Sequence, residues 1–176
     1  MLLPMKKPTV LLSLLLTAFA LHGQEEPTSA FQYKNSVQLE LAGPAIFYSL
    51  NYERILWNGN RFKTAAQAGI SYYPPSVGMR DIWIPIGVNE IFSMGSHHIE
   101  AGLGYMPVIE ASRDENLEPR EWFWSNLATA RIGYRYQKPD GHLILRAAFT
   151  PVLELESLSS GDSFHPLGGL SVGYSF

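Results

Sequence analysis

The chain has 176 residues, of which 16% are charged, 12% aromatic and 15 are glycine, with a formal net charge of −3 and no cysteine. No dense Lys/Arg patch makes a case for nucleic acid. The missing thiol excludes a disulfide framework, a Cys-ligated zinc site, a thiol nucleophile and an acylated-cysteine anchor. Low charge, many aromatic residues and many glycines point to numerous β-strands joined by turns.

Residues 1–23 read as a signal peptide. Lys6 and Lys7 form a positive n-region, and Val10 to Ala20 form an apolar run shorter than the roughly 20 residues needed to span a bilayer as a helix. Ala18-Phe19-Ala20 is one cleavage candidate and Gly23 before Gln24 a second, while Met5 is an alternative start. Residues 24–35 are expected to be a short irregular periplasmic leader, and residues 36–176 the folded domain.

From Ser36 onward eight segments alternate with period two, each near the ~9–11 residues of a transmembrane strand. Val37, Leu39 and Leu41 oppose Ser36, Gln38 and Glu40. Ile46, Tyr48, Leu50 and Tyr52 oppose Ser49, Asn51 and Glu53. Phe62, Ala66, Ala68, Ile70 and Tyr72 oppose Lys63, Gln67, Gly69 and Ser71. A fourth segment offers Ile82, Ile84, Ile86 and Val88. Ile99, Ala101, Leu103, Tyr105 and Ile109 oppose Glu100, Gly102, Gly104 and Glu110. Trp124, Ala128, Ala130, Ile132, Tyr134 and Tyr136 oppose Thr129, Arg131, Gly133 and Arg135. Leu143, Leu145, Ala147, Phe149 and Leu153 oppose His142, Arg146 and Thr150. The last segment sets Leu170, Val172, Tyr174 and Phe176 against Gly169, Ser171, Gly173 and Ser175.

The second face carries small and polar residues with a balanced set of charges: Glu40, Glu53, Glu100 and Glu110 against Lys63, Arg131, Arg135 and Arg146. That suits a narrow lumen filled by side chains, where pairing offsets the cost of burying charge. If Trp57-Asn58-Gly59 is a three-residue hairpin loop, Glu53 falls opposite Lys63. Arg54, Glu90 and Asn126 fall on the apolar face. The first two lie near segment ends, where a charge costs little or a bulge changes the register, and alternation gives no account of Asn126. Tyrosines cluster toward segment ends on the apolar face, as an interfacial girdle requires. Compact connections at 57–60, 94–96 and 138–141 alternate with longer ones at 73–81, 112–121 and 156–165. The connection around Gly43 and Pro44 is unusually short.

The tail resembles the C-terminal signal of outer-membrane β-barrel proteins: a terminal aromatic, Phe176, preceded by Tyr174, Val172 and Leu170 at alternate positions. The resemblance implies recognition by the barrel-assembly machinery. The whole chain resembles the small OmpA/OmpX architectural type, which implies an all-β, eight-stranded antiparallel up-and-down transmembrane β-barrel in the outer membrane, both termini periplasmic. Lipid and the assembly machinery are the implied partners, and no cofactor is implied.

Catalytic candidates are sparse. A lipid A deacylase of this size would place His and Ser two apart on one strand near the outer leaflet. Only His165, with Ser163 and Asp162, sits in an outer connection. His98 and Glu100 share a face beside a turn, which is too few ligands for a metal. The charged run Arg113, Asp114, Glu115, Glu118 and Arg120 reads as a solvated loop, flanked by Trp122 and Trp124. The expectation is a non-enzymatic structural or surface-interaction barrel. The alternatives are a lipid-modifying enzyme and a soluble periplasmic ligand-binding barrel, with a small pore disfavoured by the filled lumen.

Overall fold

The computed structural model describes residues 29–74, 81–111, 122–155 and 164–176. The expected signal peptide, the leader through residue 28 and most of the three long connections lie outside these residues. No helix occurs among them. Eleven strands form one sheet: β1 (Asn35–Ala42), β2 (Tyr48–Asn58), β3 (Phe62–Tyr73), β4 (Asp81–Trp83), β5 (Ile86–Met94), β6 (His97–Ala111), β7 (Trp122–Gln137), β8 (Leu143–Phe149), β9 (Val152–Glu154), β10 (Phe164–His165) and β11 (Gly168–Ser175).

These make eight staves, because β4 with β5, β8 with β9, and β10 with β11 are single staves interrupted by proline. Pro85, Pro151 and Pro166 lack the N–H that would continue a ladder. The carbonyls of Pro85 and Pro151 still accept from Gly69 N at 2.8 Å and Ala130 N at 3.1 Å, so the wall stays sealed. Neighbours pair antiparallel, and β11 returns to β1 with Ser36 opposite Ser175 and Ala42 opposite Gly169. The sheet is thereby a closed up-and-down barrel with no open edge along these strands.

Three tight connections gather at one end, called here the turn end. Gly59 N donates to Phe62 O, Gly95 adopts φ 67° between β5 and β6, and Gly141 N donates to Lys138 O. The start of β1 and the last residue meet at this end, since Asn35 and Phe176 exchange backbone bonds of 3.2 and 2.8 Å. At the opposite, loop end, β1 reaches β2 through a tight connection rather than an extended strand. Ile46, expected within the second segment, lies in this turn with φ 64°, and Ala42 also has positive φ, 58°. Ala42 N donates to Phe47 O at 2.8 Å and Ile46 N to Gly43 O at 3.1 Å, bonds that hold the uncommon conformations in place.

One register expectation is corrected. Glu53 pairs with Gln67, not Lys63, which pairs with Asn58. β2 runs on through Asn58, so the loop falls at residues 59–61, two residues later than expected, and a bulge between Ile55 and Trp57 shifts the register by one residue beyond it. The bulge lies beyond Arg54 and does not turn it inward. Arg54 and Glu90 both remain exposed on the outer face.

Candidate functional site

The interior of the barrel is the site. Period-two alternation sends Gln38 and Glu40 from β1, Glu53 from β2, Lys63 and Gln67 from β3, Glu100 from β6, Arg131 and Arg135 from β7 and Arg146 from β8 to one buried face. Three layers result.

The middle layer is an ion-pair network across the lumen. Arg131 Nη2 donates to Glu40 Oε1 at 2.7 Å, Arg135 Nη1 to Glu53 Oε1 at 2.7 Å, and Arg146 Nε to Glu100 Oε1 at 2.7 Å. Arg146 Nη1 also donates to Gln38 Oε1 at 2.6 Å and lies 3.4 Å from Glu53 Oε2. Arg135 spends two further donors on Gln137 Oε1, at 2.9 and 2.6 Å. Three arginines therefore face three glutamates, a neutral set in which each charge has an opposite charge within 4 Å.

The turn-end layer is apolar with a polar seam. Phe31, Ile55, Ala65 and Ile91 form a buried cluster. Phe31 belongs to the expected leader, yet it is 2% exposed and covers the mouth of the lumen. Its backbone is held by the Asn58 side chain at 2.9 and 2.8 Å, while Gln32 N donates to Pro139 O at 2.8 Å. The segment thus bridges two turns of the barrel. Lys63 Nζ lies 4.6 Å from the Phe31 ring centroid and donates to Asn60 O at 2.8 Å and Ser93 Oγ at 2.7 Å. Lys63 is in the lumen but forms no ion pair among the described residues. His98 is fully buried, with Nδ1 at 2.9 Å from Ser93 Oγ and Nε2 at 2.9 Å from Gln137 O. Both ring nitrogens are thus engaged, and Glu100 Oε1 is held by Arg146.

The loop-end layer was not anticipated. Ala45, Met106, Val108, Leu127 and Val152 form a buried apolar cluster inside the barrel, with Trp83 and Leu167 against it. The signal was present as apolar residues on the otherwise polar face of β6 and β7. Glu110 lies at this end, opposite Asp81 in the ladder, and accepts from Ser125 Oγ at 2.8 Å. It stands apart from the arginine network. Between the apolar cap and the ion pairs a cavity of about 30 Å³ is lined by Gly87, Gly102, Gly104, Asn89, Gln67 and Arg131. It has room for one or two waters and is far below the several hundred Å³ of a small-molecule site.

The outer surface has the opposite chemistry. Leu103 is 76% exposed, and Leu170, Ile132, Leu50 and Val172 are exposed with it. Tyr48, Tyr72, Trp122 and Trp124 gather toward the loop end, and Trp57, Phe62, Tyr134 and Tyr174 toward the turn end. Leu170, Val172, Tyr174 and Phe176 all point outward from β11 and its terminus. Asn126, unexplained by alternation, accepts from the Tyr105 hydroxyl across the β6–β7 pair.

Among solved structures, the chain is similar to the N-terminal β-barrel domain of Pseudomonas aeruginosa OprF, with a TM-score of 0.56 and 16% identity over 82% of this chain and 100% of that one. The likeness is one of fold, a closed eight-stranded antiparallel β-barrel. Ail, the attachment invasion locus protein of Yersinia pestis, is a second similar structure, with a TM-score of 0.43 and 11% identity over 84% of this chain and 97% of that one. No protein-family model matches the sequence, and no curated protein matches it either.

Of the catalytic candidates, His165 lies on β10 with Nε2 3.0 Å from Glu154 Oε1, both side chains well exposed at the loop end. Ser163 and Asp162 lie outside the described residues, as does the charged run at 113–120.

Proposed function

We propose that this protein is an exported outer-membrane β-barrel with a non-enzymatic structural or surface-interaction role, carried by its loop-end connections. The observation that carries the reading is the inversion of polarity. Arg135 and Glu100 are 1% and 0% exposed inside, while Leu103 and Leu170 are 76% and 63% exposed outside. A barrel surrounded by water would hide the second set and expose the first. A closed barrel surrounded by lipid satisfies every backbone group within the wall and offers apolar side chains to the acyl chains. The two aromatic groups fit the interfaces of such a layer. The alternating outward residues of β11 fit a terminal strand read by the barrel-assembly machinery, and both termini would then be periplasmic. With each end of the lumen capped by apolar side chains and its middle filled by ion pairs, the interior serves as a core and not as a conduit. Single-channel recordings after insertion into planar bilayers should show no steady conductance.

Single cysteines test the topology, using the absence of native thiol. One is placed at Ser159 in the β9–β10 connection, another at Ser96 in the β5–β6 turn, and intact cells are treated with a membrane-impermeant maleimide. Labelling at 159 and not at 96 is the expected result. Labelling at neither until the cells are opened would favour a soluble periplasmic barrel.

A lipid-modifying activity is the second reading, favoured by the His165–Glu154 contact at the loop end. Lipid A masses from cells with and without the gene separate the two, and an unchanged spectrum supports the non-enzymatic reading.

A further inference from the structure

Two charges face the wrong way. Among the described strand residues, Arg54 of β2 and Glu90 of β5 are the charged side chains, histidine aside, that stand exposed on the outward face. Neither has an ion-pair partner among the described residues. Arg54 Nη1 donates to Asn35 Oδ1 at 3.2 Å, and Glu90 Oε1 accepts from Thr64 Oγ1 at 2.7 Å. Each is therefore a full charge with one neutral hydrogen bond, on a surface that otherwise offers Leu, Ile, Val and aromatic side chains.

Their placement is related. The two residues flank the same strand, β3, with Arg54 opposite Ala66 and Glu90 opposite Thr64. Two interstrand spacings, roughly 10 Å, separate them across the wall. They also stand level. Arg54 is five residues from Gly59 at one turn, and Glu90 five residues from Gly95 at the next. That amounts to roughly 12 Å of rise at the strand tilt of such barrels. The line joining them crosses β3 at the inward-facing Ala65, between the outward Thr64 and Ala66, so no long side chain stands proud of the surface at the midpoint.

Opposite charges at equal height on either side of a vertical line are self-complementary under a two-fold axis along that line. We propose that the β2–β3–β5 wall is the contact face of a homodimer, in which Arg54 of each copy pairs with Glu90 of the other about an axis passing beside Ala66. This rests on the reading of the outer surface as lipid-facing. In that low-dielectric setting an exposed pair of opposite charges gains far more from meeting than it would in water, which makes a second copy the partner these two residues fit.

The test uses cysteines in the otherwise thiol-free chain. Ala66→Cys places a thiol beside the proposed axis, and Leu145→Cys on β8 places one on the opposite wall. Oxidation in native membranes should give a covalent dimer from Ala66→Cys and none from Leu145→Cys. Arg54→Glu in the Ala66→Cys background should lower the dimer yield about tenfold, and adding Glu90→Arg should restore it. Migration of unheated samples on gels reports that each variant has folded. Equal yields from both cysteines, or a yield unmoved by the single reversal in a folded variant, overturn the dimer. The underlying reading fails separately. If both cysteines react freely with a water-soluble maleimide in native membranes, the surface is not lipid-facing. If both are protected and neither cross-links, the surface stands as lipid-facing and the dimer falls.

Discussion

Arg146 is the residue on which the interior network depends most. Its Nε and Nη2 both lie 2.7 Å from Glu100 Oε1, and Nη1 is 2.6 Å from Gln38 Oε1. Glu100 is 0% exposed, and its other arginines, Arg131 and Arg135, stand at 3.8 and 3.9 Å. Arg146→Met keeps most of the side-chain volume but leaves Glu100 without a close counter-charge. Breaking a buried pair from one side costs about 3–5 kcal/mol, because the remaining charge is uncompensated and not because the pair itself was worth that much. Adding Glu100→Gln removes the stranded charge, so the double variant should lie only about 1–2 kcal/mol below the parent, a recovery of about 2–3 kcal/mol over Arg146→Met alone. Reversible urea unfolding of the barrel in lipid vesicles, followed by tryptophan fluorescence, measures all four corners of the cycle. Additive losses, or an Arg146→Met barrel within about 1 kcal/mol of the parent, would refute the reasoning, since either result means water reaches Glu100.

Three shorter predictions follow from the same layers. Leu103→Arg should cost about 2 kcal/mol or more when the barrel is folded into a bilayer, whereas a soluble barrel would tolerate it at a position already 76% exposed; urea midpoints decide between them. Phe31→Ala should cost about 3 kcal/mol and speed hydrogen exchange at the buried amides of Ala65 and Ile91, and unchanged exchange would mean Phe31 does not seal the turn end. Glu53 on β2 and Arg135 on β7 bond across the lumen, from walls that face one another only once β11 has met β1. Glu53→Gln should therefore raise the unfolding rate and leave the folding rate nearly unchanged, and slowed folding in stopped-flow refolding would show that this contact forms before closure.

Alternation made the wall legible in the sequence, because a closed barrel with unlike sides enforces period two on every stave. The eight staves and their inward and outward faces can be read directly from residues such as Leu39, Glu40 and Leu41. Register was less legible. The β2–β3 turn falls two residues later than a Trp57-Asn58-Gly59 loop would place it, which puts Lys63 opposite Asn58; a bulge at Leu56 then shifts the pairs beyond it by one, and nothing in the local pattern announces a bulge in an apolar run such as Ile55-Leu56-Trp57. The partners inside the lumen were not legible at all. Glu40 and Arg131 are 91 residues apart, and Arg135 and Glu53 are 82 apart. Alternation says that both point inward but not which reaches which across the lumen. Phe31 was hidden for another reason: it precedes the first alternating segment, and Phe31 with Tyr33 alone is too short a run to mark a strand or a plug.

The small residues on the inward face are as much a part of the network as the charges. In a barrel of eight strands the interior is only wide enough for side chains to fill, so a long side chain on one strand needs a short one beside it. The ladder supplies that complement repeatedly. Gln38 stands opposite Gly173, Asn51 opposite Gly69, Asn89 opposite Gly102 and Glu100 opposite Gly133. A methyl group on Gly173 would come within 2.5 Å of Gln38 Cγ, and one on Gly69 within 2.0 Å of Asn51 Oδ1. One on Gly169 would sit 2.9 Å from Glu40 Oε1, the oxygen that receives Arg131. The glycine and serine positions of β11 thus leave the space through which β1 sends Gln38 and Glu40 toward the arginines. The outward residues of the same strand face whatever surrounds the barrel. Both halves of the terminal alternation are then required, one by the volume of the lumen and the other by the surroundings.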